Sequence, residues 1–362
     1  MKSSLTALSG LGSRSGGRRA LLGLLATAGF AGSAFATDGR NPASLLLYPE
    51  FDNRTGTATV ITVTNVQVGE AAEDVSVEFV YRGRYGRSNQ DLDCLEFNTT
   101  EVLTPGDTFT ALTSTPAGGG HNPNHSQGFL YVFAKNSQNI PIVHNWLTGN
   151  VMTVDGFTQF EFSINPVAYR GIGDGMFTDR DMDGNLDMDG CEYSTNPDEI
   201  LIPRFFGQEQ TNFYDELIMI GLSGGAAFET KLDFLIFNDN EEIFSSEHTF
   251  QCWERTPLTR ISNLFENDFL KMWTNHDPLE MFGAPEIETG WIHIQGAVAN
   301  SVSHSIQDPS VYCVLVSRMD DNRGAADLPF ERGCRTNGEL FPVGNNGDED
   351  DSDCGFDPET CE

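Results

Sequence analysis

Basic residues are scarce in this sequence, which has 21 Lys and Arg against 53 Asp and Glu and a formal net charge of −32. A surface of this charge repels nucleic acid phosphates and anionic lipid headgroups. We therefore expect no nucleic acid partner, and divalent cations become the natural charged ligands. Most of the acidic residues need no specific ligand, because a large negative charge also keeps a protein soluble.

Long apolar runs and the common nucleotide motifs are also missing. The apolar run at residues 20–30 has about half of the roughly 20 residues that a membrane-spanning helix needs, so we expect no permanent transmembrane segment. The sequence contains no phosphate-binding loop, no dinucleotide fingerprint and no C-x-x-C pair. These absences remove the usual nucleotide, redox and zinc motifs.

Residues 1–36 have the order of a cleavable signal peptide. The segment begins with four basic residues and no acidic residue, and the apolar run follows. It ends in Ala34-Phe35-Ala36, which has the small residues that a signal peptidase cleavage site requires. We predict a secreted, periplasmic or otherwise extracellular protein. Arg18-Arg19 leaves both the general and the twin-arginine export routes open. Removal of this segment leaves 17 basic residues against 53 acidic ones, a net charge of −36.

The seven cysteines are widely spaced along the chain. In an oxidising compartment disulfides are the default for such residues, and an odd number leaves one thiol free or paired with another chain. The spacing does not determine which residues pair. The cysteines are Cys94, Cys191, Cys252, Cys313, Cys334, Cys354 and Cys361.

Apolar and polar residues alternate with a period of two along much of the chain, as in strands with one buried face. Residues 57–65 alternate in this way, and Val75, Val77, Phe79 and Tyr81 share one face of the next run. This pattern predicts an all-β fold of the sandwich type. Further short runs, separated by turn formers, lie at 92–97, 109–112, 129–134 and 142–147.

The second part of the sequence repeats the pattern of the first. Residues 214–222 correspond to 57–65 at an offset of 157, and residues 231–237 correspond to 75–81 at an offset of 156. A nearly constant offset indicates an internal duplication. The remaining correspondences pair Cys252 with Cys94 at 158, residues 289–296 with 127–134 at 162, and residues 311–317 with 141–147 at 170.

The duplication predicts either two tandem immunoglobulin-like β-sandwich domains or two pseudo-symmetric halves of one larger unit. A short helix is expected only within 263–281, as an insertion in the second copy. The predicted organisation after the signal peptide is a first sandwich at 37–170, a Gly- and Asp-rich linker at 171–198, a second sandwich at 199–320 and an acidic, largely disordered tail at 321–362.

The linker contains a dense run of aspartates, DRDMDGNLDMDGCEYSTNP at 179–197. Calcium takes six to eight oxygen ligands, and alternate acidic residues in a tight loop direct carboxylates to one point. Counted from Asp179, Asp181 and Asp183 fall at positions 3 and 5, Gly184 at position 6 and Asp187 at position 9. This segment resembles the calcium loop of EF-hand proteins and the thrombospondin type 3 repeats.

The resemblance covers only these residues and departs from the pattern at position 12, which is Gly190. A loop one residue pair longer would let Glu192 close the site instead. The resemblance implies Ca²⁺ as the cofactor and a calcium-stabilised joint between the two sandwiches, and a merely solvated acidic linker is the alternative. The candidate ligands are Asp179, Asp181, Asp183, Asp187, Asp189 and Glu192.

Catalytic motifs are weak. Residues 221–225 fit the G-x-S-x-G elbow of α/β-hydrolases, but they lie between two predicted strands, which favours a glycine-rich hairpin. His121 and His125 have a zinc-like spacing, yet the glycines and proline around them exclude the helix that the spacing requires. His144 lies on a predicted strand and is expected to be packed or hydrogen-bonded.

We therefore predict a non-enzymatic structural or binding protein of the cell exterior, with a cell-surface protein or polysaccharide as its partner and an undetermined oligomeric state. A carbohydrate-binding or carbohydrate-active protein is the alternative, because sandwiches present aromatic residues to sugars. A secreted hydrolase comes third. The tryptophans that separate the first two hypotheses, by being buried or exposed, are Trp146, Trp253, Trp273 and Trp291.

Overall fold

A computed structural model describes residues 41–84, 94–114, 121, 123, 125–157, 160–173, 177–209, 211–239, 241–272, 287–319 and 323–340. The predicted signal peptide at 1–36 lies outside the described residues. Nearly all regular structure is β-strand, which confirms the all-β prediction. The first half contains β1 (Leu45–Asp52), β2 (Thr57–Asn65), β3 (Val75–Arg84), β4 (Leu95–Leu103), β5 (Thr108–Leu112), β6 (Gln127–Lys135), β7 (Leu147–Asp155), β8 (Phe160–Ile164) and β9 (Val167–Tyr169).

The second half begins after a two-residue strand, β10 (Leu186–Asp187). Two short helices, α1 (Leu258–Ile261) and α2 (Asn267–Lys271), lie in or next to the segment where a helix was expected. The strands are β11 (Glu199–Phe206), β12 (Phe213–Gly221), β13 (Glu229–Asn238), β14 (Ile243–Gln251), β15 (Trp253–Pro257), β16 (Thr289–Asn300), β17 (Ser305–Gln307), β18 (Val311–Met319), β19 (Arg323–Asp327), β20 (Phe330–Arg332) and β21 (Glu339–Leu340).

The two halves have the same sheet topology. The larger sheets have the strand orders β4-β3-β6-β1-β9 and β14-β13-β16-β11-β20, and the smaller sheets have β5-β2-β7-β8 and β15-β12-β18-β19. Each position in one order has its counterpart in the other, and β17 is an addition beside β16. The shared topology supports the internal repeat predicted from the sequence.

A bulge in the first strand of each half gives a further sign of the repeat. The register of β1 against β6 shifts between Tyr48 and Phe51, and the register of β11 against β16 shifts between Ile202 and Phe205. A proline, Pro49 or Pro203, occupies each bulge, where the missing backbone N–H costs no ladder hydrogen bond. The sequences YPEF and IPRF therefore correspond at an offset of 154.

Two of the predicted correspondences were wrong in register. The run at 142–147 is not a strand, because β7 begins at Leu147, so the true partner of β18 lies a few residues later than predicted. Cys94 precedes β4 whereas Cys252 follows β14, so these cysteines are not equivalent positions. Both errors arose because alternation identifies a strand face but not where the strand starts.

The two larger and two smaller sheets together form a four-bladed, propeller-like arrangement, and the immunoglobulin-like form of the two halves is not confirmed. The described residues from 41 to 340 form one compact unit, and the buried apolar side chains of both halves belong to one core. A disulfide between Cys94 and Cys252 crosses from the first half to the second. The halves are therefore packed and covalently joined.

A buried ion pair also crosses between the halves. Arg255 Nη1 donates to Glu50 Oε1 at 2.7 Å, and the same guanidinium donates from Nη2 to Glu216 Oε2 at 2.6 Å. Trp253 Nε1 donates to the carbonyl oxygen of Pro49 at 2.9 Å. Both Glu50 and Arg255 have almost no exposed side-chain surface, so loss of one charge would leave the other buried and unpaired.

The chain beyond residue 320 is ordered for some distance. The strands β19 and β20 complete the two sheets of the second half, and β21 pairs with β10 in the Asp-rich segment. The predicted disorder after residue 320 therefore does not apply to residues 323–340. Cys334, within the ordered part, is also disulfide-bonded. The remainder of the tail, 341–362, lies outside the described residues.

Candidate metal centre

The Asp-rich segment folds as a loop anchored at both ends. Leu186 and Asp187 pair with Leu340 and Glu339, and the Leu186 side chain is completely buried. At the other end, Thr178 N donates to the carbonyl oxygen of Pro141 at 3.1 Å in the first half. The loop therefore lies between the two halves and packs against both.

The sharp turn of the loop depends on left-handed backbone conformations. Gly184 has a φ of 88°, which the absence of a Cβ permits at little cost, as the glycine position of a calcium loop requires. Asp183 Oδ1 accepts a hydrogen bond from Asn185 N at 2.7 Å, and Asp181 Oδ1 accepts one from Asp183 N at 3.1 Å. These short-range bonds turn successive carboxylates toward the inside of the loop.

Five of the six predicted ligands converge. One group contains Asp179, Asp181 and Glu192, and the other contains Asp181, Asp183 and Asp187. In each group one carboxylate oxygen per residue lies within 4.8 Å of the others. Asp181 belongs to both groups, so the two groups are neighbours in the loop.

Glu192 brings a carboxylate oxygen within 4.8 Å of those of Asp179 and Asp181. Its Oε1 accepts a hydrogen bond from Arg180 N and its Oε2 accepts one from Asp187 N at 3.2 Å. Its side chain is only 2% exposed. A buried carboxylate with so few donors around it retains lone pairs for another ligand.

Asp189 was predicted as a ligand, but it belongs to neither group among the described residues. Its Oδ1 instead accepts hydrogen bonds from Cys191 N at 2.7 Å and Glu192 N at 2.9 Å. This turn, with Gly190 at a φ of 86°, brings Glu192 back toward Asp179. Asp189 therefore shapes the loop, and the turn explains why the closing glutamate lies two residues beyond position 12.

The crowded carboxylates shift one another's pKa values. Burial, followed by the charges of Asp183 and Glu339, raises the pKa of Asp187 to about 8. Burial raises the pKa of Glu192 to about 9, with the charge of Asp187 adding to it against the lowering effect of two backbone donors. Burial and the charges of Asp183 and Asp181 also raise the pKa of Asp179. A cation among these groups would relieve both the burial cost and the repulsion.

The donor set consists of carboxylate oxygens, which suit a hard cation such as Ca²⁺ rather than a soft metal. Asp179 Oδ1 is buried and has no hydrogen-bond partner. A buried polar atom of this kind calls for an explanation, and a bound cation supplies one. Five carboxylates and the loop's backbone carbonyls offer enough oxygens for the coordination that calcium prefers.

The catalytic alternatives are not supported by the described residues. Ser223 is buried, donating to the Asn337 carbonyl at 2.6 Å and accepting from Ser310 N at 2.8 Å, so its hydroxyl is already engaged. Its segment joins β12 to β13, which belong to different sheets, so the predicted hairpin was wrong. The connection contains a single turn of 3-10 helix rather than the strand-to-helix elbow of a hydrolase.

The three histidines considered in the sequence analysis are packed against other side chains. His121 is buried, with Nδ1 at 3.0 Å from the Tyr81 hydroxyl and Nε2 at 3.2 Å from Glu101 Oε1. His125 stacks on Phe51, with its ring centroid 6.5 Å away. His144 Nε2 lies 3.2 Å from Asn65 Oδ1, as its predicted hydrogen-bonded role requires.

The tryptophans give a mixed result. Trp253 is buried at the junction of the halves, while Trp146 and Trp291 are 47% and 38% exposed. Trp291 stacks on Phe237 with ring centroids 3.9 Å apart. Trp273 lies outside the described residues. Of the exposed pair, Trp146 belongs to the first half and Trp291 to the second.

No family model matches the chain, and no curated protein matches it. Among solved structures it is similar to a protein from Parabacteroides distasonis inferred to be secreted, with 11% identity, 77% of this chain and 84% of that chain covered, and a TM-score of 0.19. Broad bean stain virus gives 8% identity, 87% and 97% coverage and a TM-score of 0.17. Tripeptidyl peptidase 2 gives 8% identity, 82% and 29% coverage and a TM-score of 0.16. At these TM-scores the similarities carry no argument about function.

Within the described part of the chain, no helix is both long enough and apolar enough to cross a bilayer.

Proposed function

We propose that this is an exported structural or binding protein of the cell exterior that uses one Ca²⁺ ion to stabilise the junction of its two β-sandwich halves. The orphaned Asp179 Oδ1 among five converging carboxylates is the observation that carries the calcium assignment. Export is supported by the predicted signal peptide and by the disulfide between Cys94 and Cys252, because disulfides persist in oxidising compartments.

The sandwich form of each half is part of the proposal. Its support is that β1 of the larger sheet contacts β7 of the smaller sheet, and β11 contacts β18 in the same way. Tyr48 on β1 also donates its hydroxyl to the Thr62 carbonyl in β2 at 2.7 Å. Inward-facing side chains of two sheets that meet in this manner form the core of a sandwich.

Calcium would act on the junction and not on a loose hinge. The loop contacts the first half through Thr178 and the second half through Leu186, and the halves are already joined by a disulfide and a buried ion pair. Ion binding therefore neutralises the repulsion between carboxylates in a loop that lies between the packed halves. This raises the stability of the junction without a change in the angle between the halves.

Calorimetric titration of the purified protein with Ca²⁺, with and without competing Mg²⁺, tests this function. We expect one site, lost in Glu192→Gln and Asp181→Asn. Glu247→Gln removes a glutamate charge from an exposed strand and serves as the matched control, with unchanged binding. Absence of calcium heat in the wild type, or equal binding by the Glu192 variant, would refute the assignment.

Carbohydrate binding is the second proposed function, and the exposure of Trp146 and Trp291 is the observation that favours it. Indole rings offer sugars an apolar face beside polar groups. A glycan array with and without calcium tests it, using Trp291→Ala as the comparison. Signals that are identical for the wild type and this variant would remove Trp291 from any sugar site.

A further inference from the structure

The outward face of the larger sheet in the first half is covered at its centre, on β1 and β6. Because Tyr48 points inward to β2, alternation along β1 directs Leu45 and Leu47 outward. Tyr131 and Phe133 on β6 pair with these leucines and share the outward face. All four side chains are 4% exposed or less, so another part of the molecule must cover them.

The cover is the smaller sheet of the second half. The strand β12 contacts β1, and β15 contacts β6. Asp215 on β12 points into its own half, since its carboxylate accepts Phe206 N at 2.8 Å, so Glu216 and Ile218 point outward. Arg255, paired with Ile218, reaches Glu50 from this face. The internal junction is therefore a larger-sheet face against a smaller-sheet face.

The second half has the same larger-sheet face, but it is open. Leu47 on β1 lies opposite Tyr131 on β6, and Leu201 on β11 lies opposite His293 on β16, so the two pairs are equivalent. Two residues earlier on β6 and β16, Phe129 and Trp291 are equivalent in the same way. Four large apolar side chains on this face, and on the strands beside it, are well exposed. They are Leu235 and Trp291 at 38%, Ile243 at 60% and Phe330 at 65%.

Some charges on the open face are paired within the chain, whereas Glu229 and Asp233 on β13 are exposed on it. Lys231 pairs with Glu247 at 2.8 Å, and Glu199 pairs with Arg332. A sheet face with four exposed large apolar side chains, on a chain with a net charge of −32, is unusual for a face that only contacts water. The first half buries the equivalent surface on β1 and β6, so the fold already uses this part of the sheet for packing.

The smaller sheet of the first half presents the complementary surface. Its outward positions are uncharged along three neighbouring strands, and at least partly exposed. They are Val60, Thr62 and Thr64 on β2, Thr108, Thr110 and Leu112 on β5, and Thr148, Asn150 and Met152 on β7. Two chains of large negative charge repel each other, and this repulsion is weakest where the facing surface carries no charge.

We propose that the protein assembles head to tail, with the open face of one copy covered by the β5-β2-β7 face of a second copy. This contact repeats between chains the type of junction that already joins the halves within a chain. Because the two faces differ, the interface is heterologous and does not close on itself, so assembly continues into linear oligomers. The inference extends the proposed structural role and does not depend on calcium.

Sedimentation velocity from micromolar to millimolar concentration, in calcium and in chelator, tests the proposal. We expect the wild type to grow beyond a dimer as the concentration rises. Trp291→Glu or Ile243→Glu blocks the open face, and Thr110→Glu or Met152→Glu blocks the opposite face. Each substitution should weaken association by at least about tenfold, because a charge is desolvated in the contact. Val302→Glu, at an exposed turn outside both faces, is the matched control.

A mixture of one variant of each kind identifies the arrangement. Head-to-tail assembly predicts that Trp291→Glu and Thr110→Glu together form a one-to-one dimer that grows no further, because one intact face remains on each. A wild type that is monomeric throughout overturns the proposal. A closed dimer that Thr110→Glu leaves intact also overturns it and indicates symmetric pairing of open faces. Circular dichroism of each variant checks that it is folded.

Discussion

Proton release on calcium binding is a direct consequence of the raised pKa values in the loop. With pKa values of about 8 for Asp187 and about 9 for Glu192, both groups are mainly protonated at pH 7 in the calcium-free protein. Calcium requires the carboxylate forms, so binding at pH 7 should release about two protons. The cost of removing them is about 4 kcal/mol at pH 7, from about 1.4 kcal/mol per pKa unit.

The sign of the pH dependence follows from this cost. Raised pKa values mean that protons compete with calcium below pH 8, so affinity should rise about 100-fold per pH unit between pH 6 and pH 7 and level off above both pKa values. Titration calorimetry in two buffers with different ionisation heats measures the number of protons released. Glu192→Gln should reduce that number by about one in any binding that remains, whereas Glu247→Gln should not change it. Calcium binding with no dependence on the buffer would refute the reasoning.

Three further predictions concern stability. Arg255→Met leaves Glu50 buried without a partner and should cost about 3–5 kcal/mol in urea unfolding, while Lys231→Met, at an exposed pair, should cost less than about 1 kcal/mol. Chelation should increase protease cleavage within residues 175–195 without unfolding either half, and identical cleavage in calcium and chelator would contradict the loop's role. Burial raises the pKa of Asp215 to about 6, so its contribution to stability is present below pH 4 and is lost as the pH rises through 6. The Asp215→Asn variant should therefore gain up to about 3 kcal/mol relative to the wild type between pH 4 and pH 7, measured by denaturant unfolding, and a constant difference would count against this cause.

The order of the strands in the sheets could not be predicted from the sequence. Alternation in residues 57–65 and 75–81 correctly identified β2 and β3, because one buried face per strand leaves a period of two in the sequence. The strand β1 has no such pattern, since every residue of Leu45–Asp52 is buried. Its outward face is covered by the other half, and that contact lies far away in sequence.

The candidate site was more predictable than the fold around it. The spacing of aspartates from Asp179 to Asp187 follows from the local geometry of a tight oxygen-lined loop, which a few consecutive residues determine. The role of Asp189 could not be predicted, because ligand and turn-forming aspartates look identical in a sequence. Only the hydrogen bonds to Cys191 N and Glu192 N distinguish the two roles.

The sequence by itself determined the strand-rich character of the chain, its repeated halves and the acidic loop, because these depend on residues near one another in the chain. Tertiary structure alone decided which faces are covered. Leu47 and Leu201 occupy equivalent places, yet one is buried against the second half and the other lies on a partly open surface. The difference comes from contacts between residues far apart in the sequence, and the hydrophobic pattern of a single strand cannot specify them.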